Sequence, residues 1–140
     1  MEREGFLSPT TADEARAAHL ELAPAAQTVV GETAKAMDFG REEFDDRVTD
    51  DVVATAHDAL FASVLEVTVG TREEFESWRE ETDAEVVVAG SENVPNAVWH
   101  APPFAGRAVA ATFADERAAA VATLRRQAFG RIYRDVLGEG

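Results

Sequence analysis

The stretch Leu65-Glu-Val-Thr-Val69-Gly-Thr71-Arg-Glu-Glu74 decides the fold of this chain, because the hydrophobic pattern changes its period there. Leu65, Val67 and Val69 alternate with polar residues, which is typical of a strand with one buried face. Thr71 and Glu74 then have the Thr-x-x-Glu spacing of a capping box, which opens a helix. Before this stretch, apolar residues recur at every third or fourth position. The pattern predicts a helical first half and a mixed second half.

The first half contains three predicted helices. Thr11-Ala-Asp-Glu14 is a further capping-box pattern, and Pro24 suits the first turn of the helix that follows. The helices are expected from Thr11 to about Leu22, from Pro24 to about Asp38, and after the cap Thr49, with a short acidic turn over Arg41 to Val48.

The second half has the predicted order β-α-β-β-β-α. Strands are expected near residues 65–69, 86–88, 97–101 and 107–113, and a last helix from about Asp115 to Leu137 with Gly138 at its C-cap. Because the strands alternate rather than being apolar throughout, one face of the sheet should be wet. We therefore predict an α+β fold, a four-stranded, largely antiparallel sheet with helices packed on one face, and a single domain over residues 1–140.

The surface charge is the most informative feature of the composition. The chain has 27 acidic and 13 basic residues, a formal net charge of −14, and Lys35 is its single lysine. In ordinary buffer such a charge opposes compaction, whereas in molar salt the Debye length falls to about 3 Å and the repulsion is screened. The composition favours a protein of a halophilic archaeon over an acidic protein from a GC-rich mesophile.

Several classes of protein are excluded or disfavoured. The longest apolar runs are far below the roughly 20 residues that cross a bilayer, and the start of the chain lacks the apolar segment of a secretion signal. We expect a cytoplasmic protein without membrane association. With no cysteine and only three histidines, no metal site and no cofactor are expected. Glycine-rich phosphate loops and common hydrolase motifs are absent from the sequence.

Arg125 is the strongest candidate for a functional residue. It lies in the centre of a predicted apolar stripe of the last helix, formed by Ala118, Val121, Ala122, Ala128, Phe129, Ile132 and Val136. A guanidinium cannot be neutralised at accessible pH, so it needs a carboxylate, carbonyl acceptors or a route to solvent. His57 has a similar position on its own helix. Either both are structural core residues, or Arg125 clamps an anionic ligand while His57 or His100 moves a proton.

A second candidate region is the segment from Asn93 to Gly106. It contains Asn96, Trp99 and His100 together with prolines, in what the pattern places at a turn and a hairpin. Aromatic residues in such a segment either line a ligand site, with Asn96 and Trp99 as binding residues and His100 as a catalytic one, or fold back on the core as a lid.

The last helix carries two further hypotheses. Four of its arginines, at positions 125, 126, 131 and 134, are spread around the helix, which together with the net charge argues against nucleic-acid binding. Gly130, Tyr133 and Leu137 widen its apolar arc beyond what one sheet covers. Either the N-terminal helices or a second copy of the chain covers this arc, and the second case predicts a homodimer through the C-terminal helix.

Five stretches of the chain have distinctive local wording: residues 25–30 (AAQTVV), 58–62 (DALFA), 69–75 (VGTREEF), 89–94 (AGSENV) and 123–130 (TLRRQAFG). They resemble a family of uncharacterised haloarchaeal proteins of similar length. The resemblance covers nearly the whole chain, is consistent with a halophilic source, and implies no activity.

The sequence thus favours a non-catalytic structural or protein-interaction protein of unknown function. The alternative is a small-molecule binding protein or small enzyme that acts on an anionic substrate in a pocket near Arg125 and His57.

Overall fold

Five strands form one mixed sheet in the order β1-β2-β4-β5-β3. The computed structural model describes residues 1–38 and 40–138, and of residues 41, 44 and 45 the backbone alone. The strands are β1 (Glu2–Glu4), β2 (Val67–Thr71), β3 (Glu85–Ala89), β4 (Asn96–His100) and β5 (Arg107–Phe113). The helices are α1 (Ala12–Glu21), α2 (Ala23–Ala36), α3 (Arg41–Arg47), α4 (Asp50–Ser63), α5 (Arg72–Glu81), α6 (Arg117–Ala128) and α7 (Arg134–Val136), with a π-helical turn at Phe129–Tyr133.

The α+β class and the largely antiparallel sheet are confirmed, but the predicted number of strands is wrong. Three of the four strand pairings are antiparallel, and only β3 and β5 run parallel. The additional strand is β1, which pairs with β2 so that Arg3 lies opposite Thr68. Three residues, two of them acidic, carry no periodic signal, so this strand exists through its tertiary contacts and not through local preference.

The prediction that the helices pack on one face is also wrong. Helices α1, α4 and α6 cover one face of the sheet around Phe61, Leu65 and Val98. Helix α5 covers the opposite face, where Phe75 packs with Trp99. The cause is visible in β4, whose residues facing α5 are Ala97 and Trp99 and not polar ones. Both faces of the central strands are therefore apolar, which requires a third layer.

Threonine caps begin three of the helices, as the sequence predicts. Thr49 Oγ1 accepts a hydrogen bond from the backbone N–H of Val52, and Thr71 forms a complete capping box with Glu74. The box predicted at Thr11 is only half formed: Thr11 Oγ1 accepts from the Glu14 N–H, but the Glu14 carboxylate accepts from Thr10 instead.

Two local predictions differ from the structure. The segment predicted as an acidic turn forms helix α3, since residues 41–47 contain neither glycine nor proline and mostly favour helix. The long last helix is α-helical only to Ala128 and then passes through the π-helical turn.

No helix in the described part of the chain is both long and apolar enough to cross a membrane.

The buried face of α6 is rotated relative to the predicted stripe. Val121, Leu124 and Ala128 are buried, whereas Ala118 and Ala122 are exposed. A π-helical turn holds one more residue than an α-helical turn, so it shifts the residues after it around the axis. Ile132 and Tyr133 are consequently both buried.

Candidate functional site

His100 and Tyr133 form a buried polar pair beneath the sheet. His100 ends β4 and is 5% exposed, and Tyr133 reaches it from the π-helical turn. His100 Nδ1 lies 2.7 Å from the Glu66 carbonyl oxygen, which can only accept, so Nδ1 carries the proton. His100 Nε2 is therefore the acceptor for the Tyr133 hydroxyl, at 2.7 Å. Every polar atom of the pair has a partner within the chain.

The electrostatics of this pair keep both groups neutral at neutral pH. Burial lowers the pKa of His100, and the positive charge of Arg125 acts in the same direction, against the Glu66 carbonyl and carboxylate. Burial also raises the pKa of Tyr133 far above its ordinary value. A neutral imidazole with both nitrogens engaged is poorly placed to act as an acid or a base.

Arg125 donates hydrogen bonds to the main chain of β1 and of the segment between α4 and β2. Its Nε donates to the carbonyl of Leu65 at 3.0 Å and its Nη2 donates to the carbonyl of Glu4 at 3.3 Å. These bonds tie β1 and the approach to β2 to helix α6. Arg117 of the same helix strengthens the attachment through ion pairs with Glu2 and Glu4.

His57 lies in a cluster between α1 and α4. Its Nε2 donates to the carbonyl of His19, and its ring stacks on the His19 ring with 3.7 Å between centroids. His19 Nε2 in turn donates to Asp58 Oδ1 at 3.0 Å. Within the residues that the structure describes, no group of three or more His, Asp or Glu side chains is placed to hold a metal ion.

Asn96 is at the opposite end of β4 from His100, about 13 Å away along the strand. Its Nδ2 donates to the Ala114 carbonyl at 2.8 Å and so fixes the turn between β5 and α6. The structure does not bring Asn96 together with Trp99 and His100.

A cleft of about 240 Å³ opens beside Trp99 at the end of β4, on the face covered by α5. Trp99 is 3% exposed, and Trp78 of α5 stacks on it with 5.6 Å between ring centroids. Trp99 and His100 both line the cleft, whereas Arg125 and His57 do not. The lining residues are Arg3, Ser8, Pro9, Thr10, Glu66, Thr68, Trp78, Trp99, His100, Ala101, Pro102 and Pro103.

Of the polar residues of this cleft, the sequence points to His100 but not to Arg3 or Glu66. Arg3 enters it through β1, which has no sequence signal, and Glu66 has the polar position of an alternating strand. The available signal was the pair of tryptophans: Trp78 follows Phe75 by three residues on one face of the helix that Thr71 begins, and Trp99 lies in a predicted strand. The tryptophans could have been paired across a third layer.

The fold and the cleft together define a three-layer α+β domain with polar core residues tied to the main chain and an aromatic cleft at one end of the sheet. The chain belongs to a family described as "Family of unknown function (DUF5809)", whose model matches residues 6–134. Neither the curated proteins nor the solved structures include a match to this chain.

Proposed function

We propose that this protein is non-catalytic and works by binding, as an interaction protein in the cytoplasm of a halophilic archaeon. The observation that carries the proposal is the fate of the candidate catalytic groups. His57, His100 and Arg125 all donate to main-chain carbonyls of other elements. Groups engaged in this way hold the fold together and are not free to act on a substrate.

The alternative of a catalytic pocket between Arg125 and His57 gains no support from these contacts. Arg125 is bonded to the ends of β1 and α4, while His57 is bonded to the end of α1. The two side chains do not share the cleft. They therefore do not form a site in which an anion-binding group lies next to a proton carrier.

The halophilic part of the proposal is supported by where the acidic residues lie. The clustered acids at positions 42–43, 50–51 and 80–81 are all exposed. An exposed anionic shell around an apolar core is stable where concentrated salt screens the repulsion.

Arg125→Met tests whether the arginine is structural. Loss of the bonds to the Leu65 and Glu4 carbonyls should lower the free energy of unfolding by about 1–3 kcal/mol, since hydrogen bonds from charged groups are worth that much. Urea denaturation in molar KCl, followed by circular dichroism, measures the change.

Arg126→Met is the matched control for this experiment. Arg126 is the next residue of the same helix and is exposed, and among the described residues its side chain bonds only to Thr123 of its own turn, at 3.4 Å. It should leave stability unchanged within about 0.5 kcal/mol. An Arg125→Met protein as stable as the parent would contradict the proposal. A residue that is retained for function and not for stability can be replaced without loss of stability.

A further inference from the structure

We propose that the cleft beside Trp99 binds a small zwitterion of the α-amino-acid type, which carries one carboxylate and one ammonium group. This inference rests on the proposal that the protein works by binding, and it assigns a site and a class of ligand to that function. The observations behind it are the uncovered end of the sheet, two unpaired opposite charges and the two indole rings.

The pairing of the strands leaves one end of the sheet uncovered on the α5 side. Arg3 lies opposite Thr68, and Thr68 lies opposite Trp99, so the three residues form one row across β1, β2 and β4. Five strands span about 19 Å, whereas one helix is about 10 Å wide. Helix α5 packs on β2 and β4, and Arg3 at the edge stays exposed.

The Arg3 guanidinium is a cation with no hydrogen-bond or ion-pair partner among the residues that the structure describes. Its two neighbours in β1, Glu2 and Glu4, are instead paired with Arg117 at 2.7 and 3.3 Å. The two acidic residues of β1 therefore pair with Arg117, and the Arg3 guanidinium is available to a ligand.

Glu66 supplies the opposite charge in the same cleft. It lies two residues before Thr68, so it shares a face with Thr68 and is a diagonal neighbour of Arg3, at about 7–8 Å between Cα atoms. Within the described residues, its carboxylate forms no ion pair, and Arg3 and Glu66 do not pair with each other. The two charged side chains thus start from neighbouring backbone positions on one face without pairing with each other, so a molecule that carries both complementary charges can bind to both.

The tryptophans complete the recognition of such a ligand. Trp78 is half-buried and borders the cleft, with Trp99 stacked behind it. Indole faces attract ammonium groups by the cation–π interaction and also shelter an apolar side chain. The hydroxyl of Thr68 adds a donor and acceptor between the two charged residues.

The charge of the whole protein favours a zwitterion over a simple anion. A net charge of −14 repels anions, whereas a ligand of zero net charge feels no such repulsion. A simple cation would leave Arg3 unpaired, and a simple anion would leave Glu66 unpaired. The volume of about 240 Å³ and the rigid proline walls, Pro9 and Pro102–Pro103, restrict the ligand to a small molecule.

The fluorescence of the protein provides the test, because its two tryptophans are Trp78 and Trp99, both in the cleft. The full chain in molar KCl is titrated with the standard L-amino acids other than tryptophan and tyrosine. The strongest responder is then compared with the same molecule without its amino group and the same molecule without its carboxylate. We expect a saturable change in emission that requires both groups.

Four variants assign the response to the two charges. Arg3→Gln and Glu66→Gln should each weaken binding at least about ten-fold, as expected for the loss of one charge-assisted hydrogen bond. Arg126→Gln and Glu80→Gln are controls, since both residues are exposed and lie outside the cleft. They should bind as the parent does, and circular dichroism verifies that all four variants are folded.

The possible results separate this inference from the proposed function. If no amino acid changes the emission, or if the molecule without an amino group binds equally well and Glu66→Gln has no effect, the zwitterion site is overturned. When either result accompanies the expected destabilisation by Arg125→Met, the proposed function still stands. If Arg125→Met leaves stability unchanged, the proposed function fails whatever the titration shows.

Discussion

A buried hydrogen bond from the Tyr133 hydroxyl to His100 Nε2 joins the π-helical turn to the end of β4, the middle strand of the sheet. This arrangement requires a neutral imidazole, because Nε2 accepts only when it carries no proton. Protonation would leave the Tyr133 hydroxyl hydrogen without this acceptor and place a second cation near Arg125. Stability is thereby linked to the protonation state of one residue.

This linkage predicts that the folded protein loses stability in mild acid. The pKa of His100 is lowered on folding, whereas in the unfolded chain it is about 6.5. The unfolded state therefore binds the proton first as the pH falls below about 6.5, and the free energy of unfolding falls by up to about 1.4 kcal/mol per pH unit. Urea denaturation between about pH 7.5 and 5.5 measures the slope.

His100→Gln is the comparison for the pH experiment. Glutamine does not titrate, so this part of the slope should disappear, although the variant is less stable at pH 7. Glu14, whose pKa is lowered by its hydrogen bonds from Thr10, loses its contribution only in stronger acid, outside this window. An unchanged slope in His100→Gln would show that other groups cause the acid sensitivity.

The residues with unusual environments could be found from the sequence, but their partners could not. Arg125 and His57 stand out because a polar group interrupts an apolar face, and both make the buried polar contacts that such positions demand. The identity of the acceptor depends on which elements meet in space. Local spacing contains no information on the Glu4 carbonyl, which is more than a hundred residues away in the chain.

At the scale of elements, the glycines of the turns and helices differ in whether their positions can accept a side chain. Gly130 lies in the π-helical turn without a positive φ, and a Cβ added there would meet nothing within 4 Å. Gly130→Ala should therefore raise the free energy of unfolding by about 0.4–1 kcal/mol, through the lower entropy of the unfolded chain. Thermal and urea unfolding in molar KCl provide the measurement.

Gly90→Ala is the opposing case, at the end of β3. Gly90 has a φ of +103°, and an added Cβ would clash with Thr112 Oγ1. The substitution should cost at least about 1 kcal/mol, because an L-residue is strained in this conformation. Equal effects of the two alanine substitutions would contradict this distinction.

The elements that the sequence predicts well are those with local signals. Threonine caps locate the starts of α1, α4 and α5, and β5 has the limits that the sequence predicts. The strand β1 and the placement of α5 on the second face depend on tertiary packing, for which single-sequence patterns are weak.

At the scale of the whole molecule, the acidic shell predicts that folding depends on salt. Lowering the KCl concentration removes the screening of the net charge of −14, and the repulsion then opposes the compact state. Far-UV circular dichroism at falling KCl should show unfolding at low salt. A fold unchanged after complete desalting would count against the halophilic proposal.

The homodimer through the C-terminal helix stays a prediction. Tyr133 is buried within the chain and Leu137 packs on the core, so the chain itself covers much of the apolar arc that motivated it. Of that arc, Gly130 is exposed and can meet a second copy. Light scattering in molar KCl should give twice the mass of one chain, and a monomeric mass would exclude the dimer.

The parallel pairing of β3 with β5 has a consequence for how the molecule assembles. In the sheet, β3 lies at the edge and β5 is its strand neighbour, yet β5 is synthesised later. During translation the valines of β3 therefore stay unpaired until β4 and β5 have emerged from the ribosome. Docking of β3 is expected to be slow, because parallel pairing needs a crossover, and until it occurs the valines of β3 are exposed to aggregation.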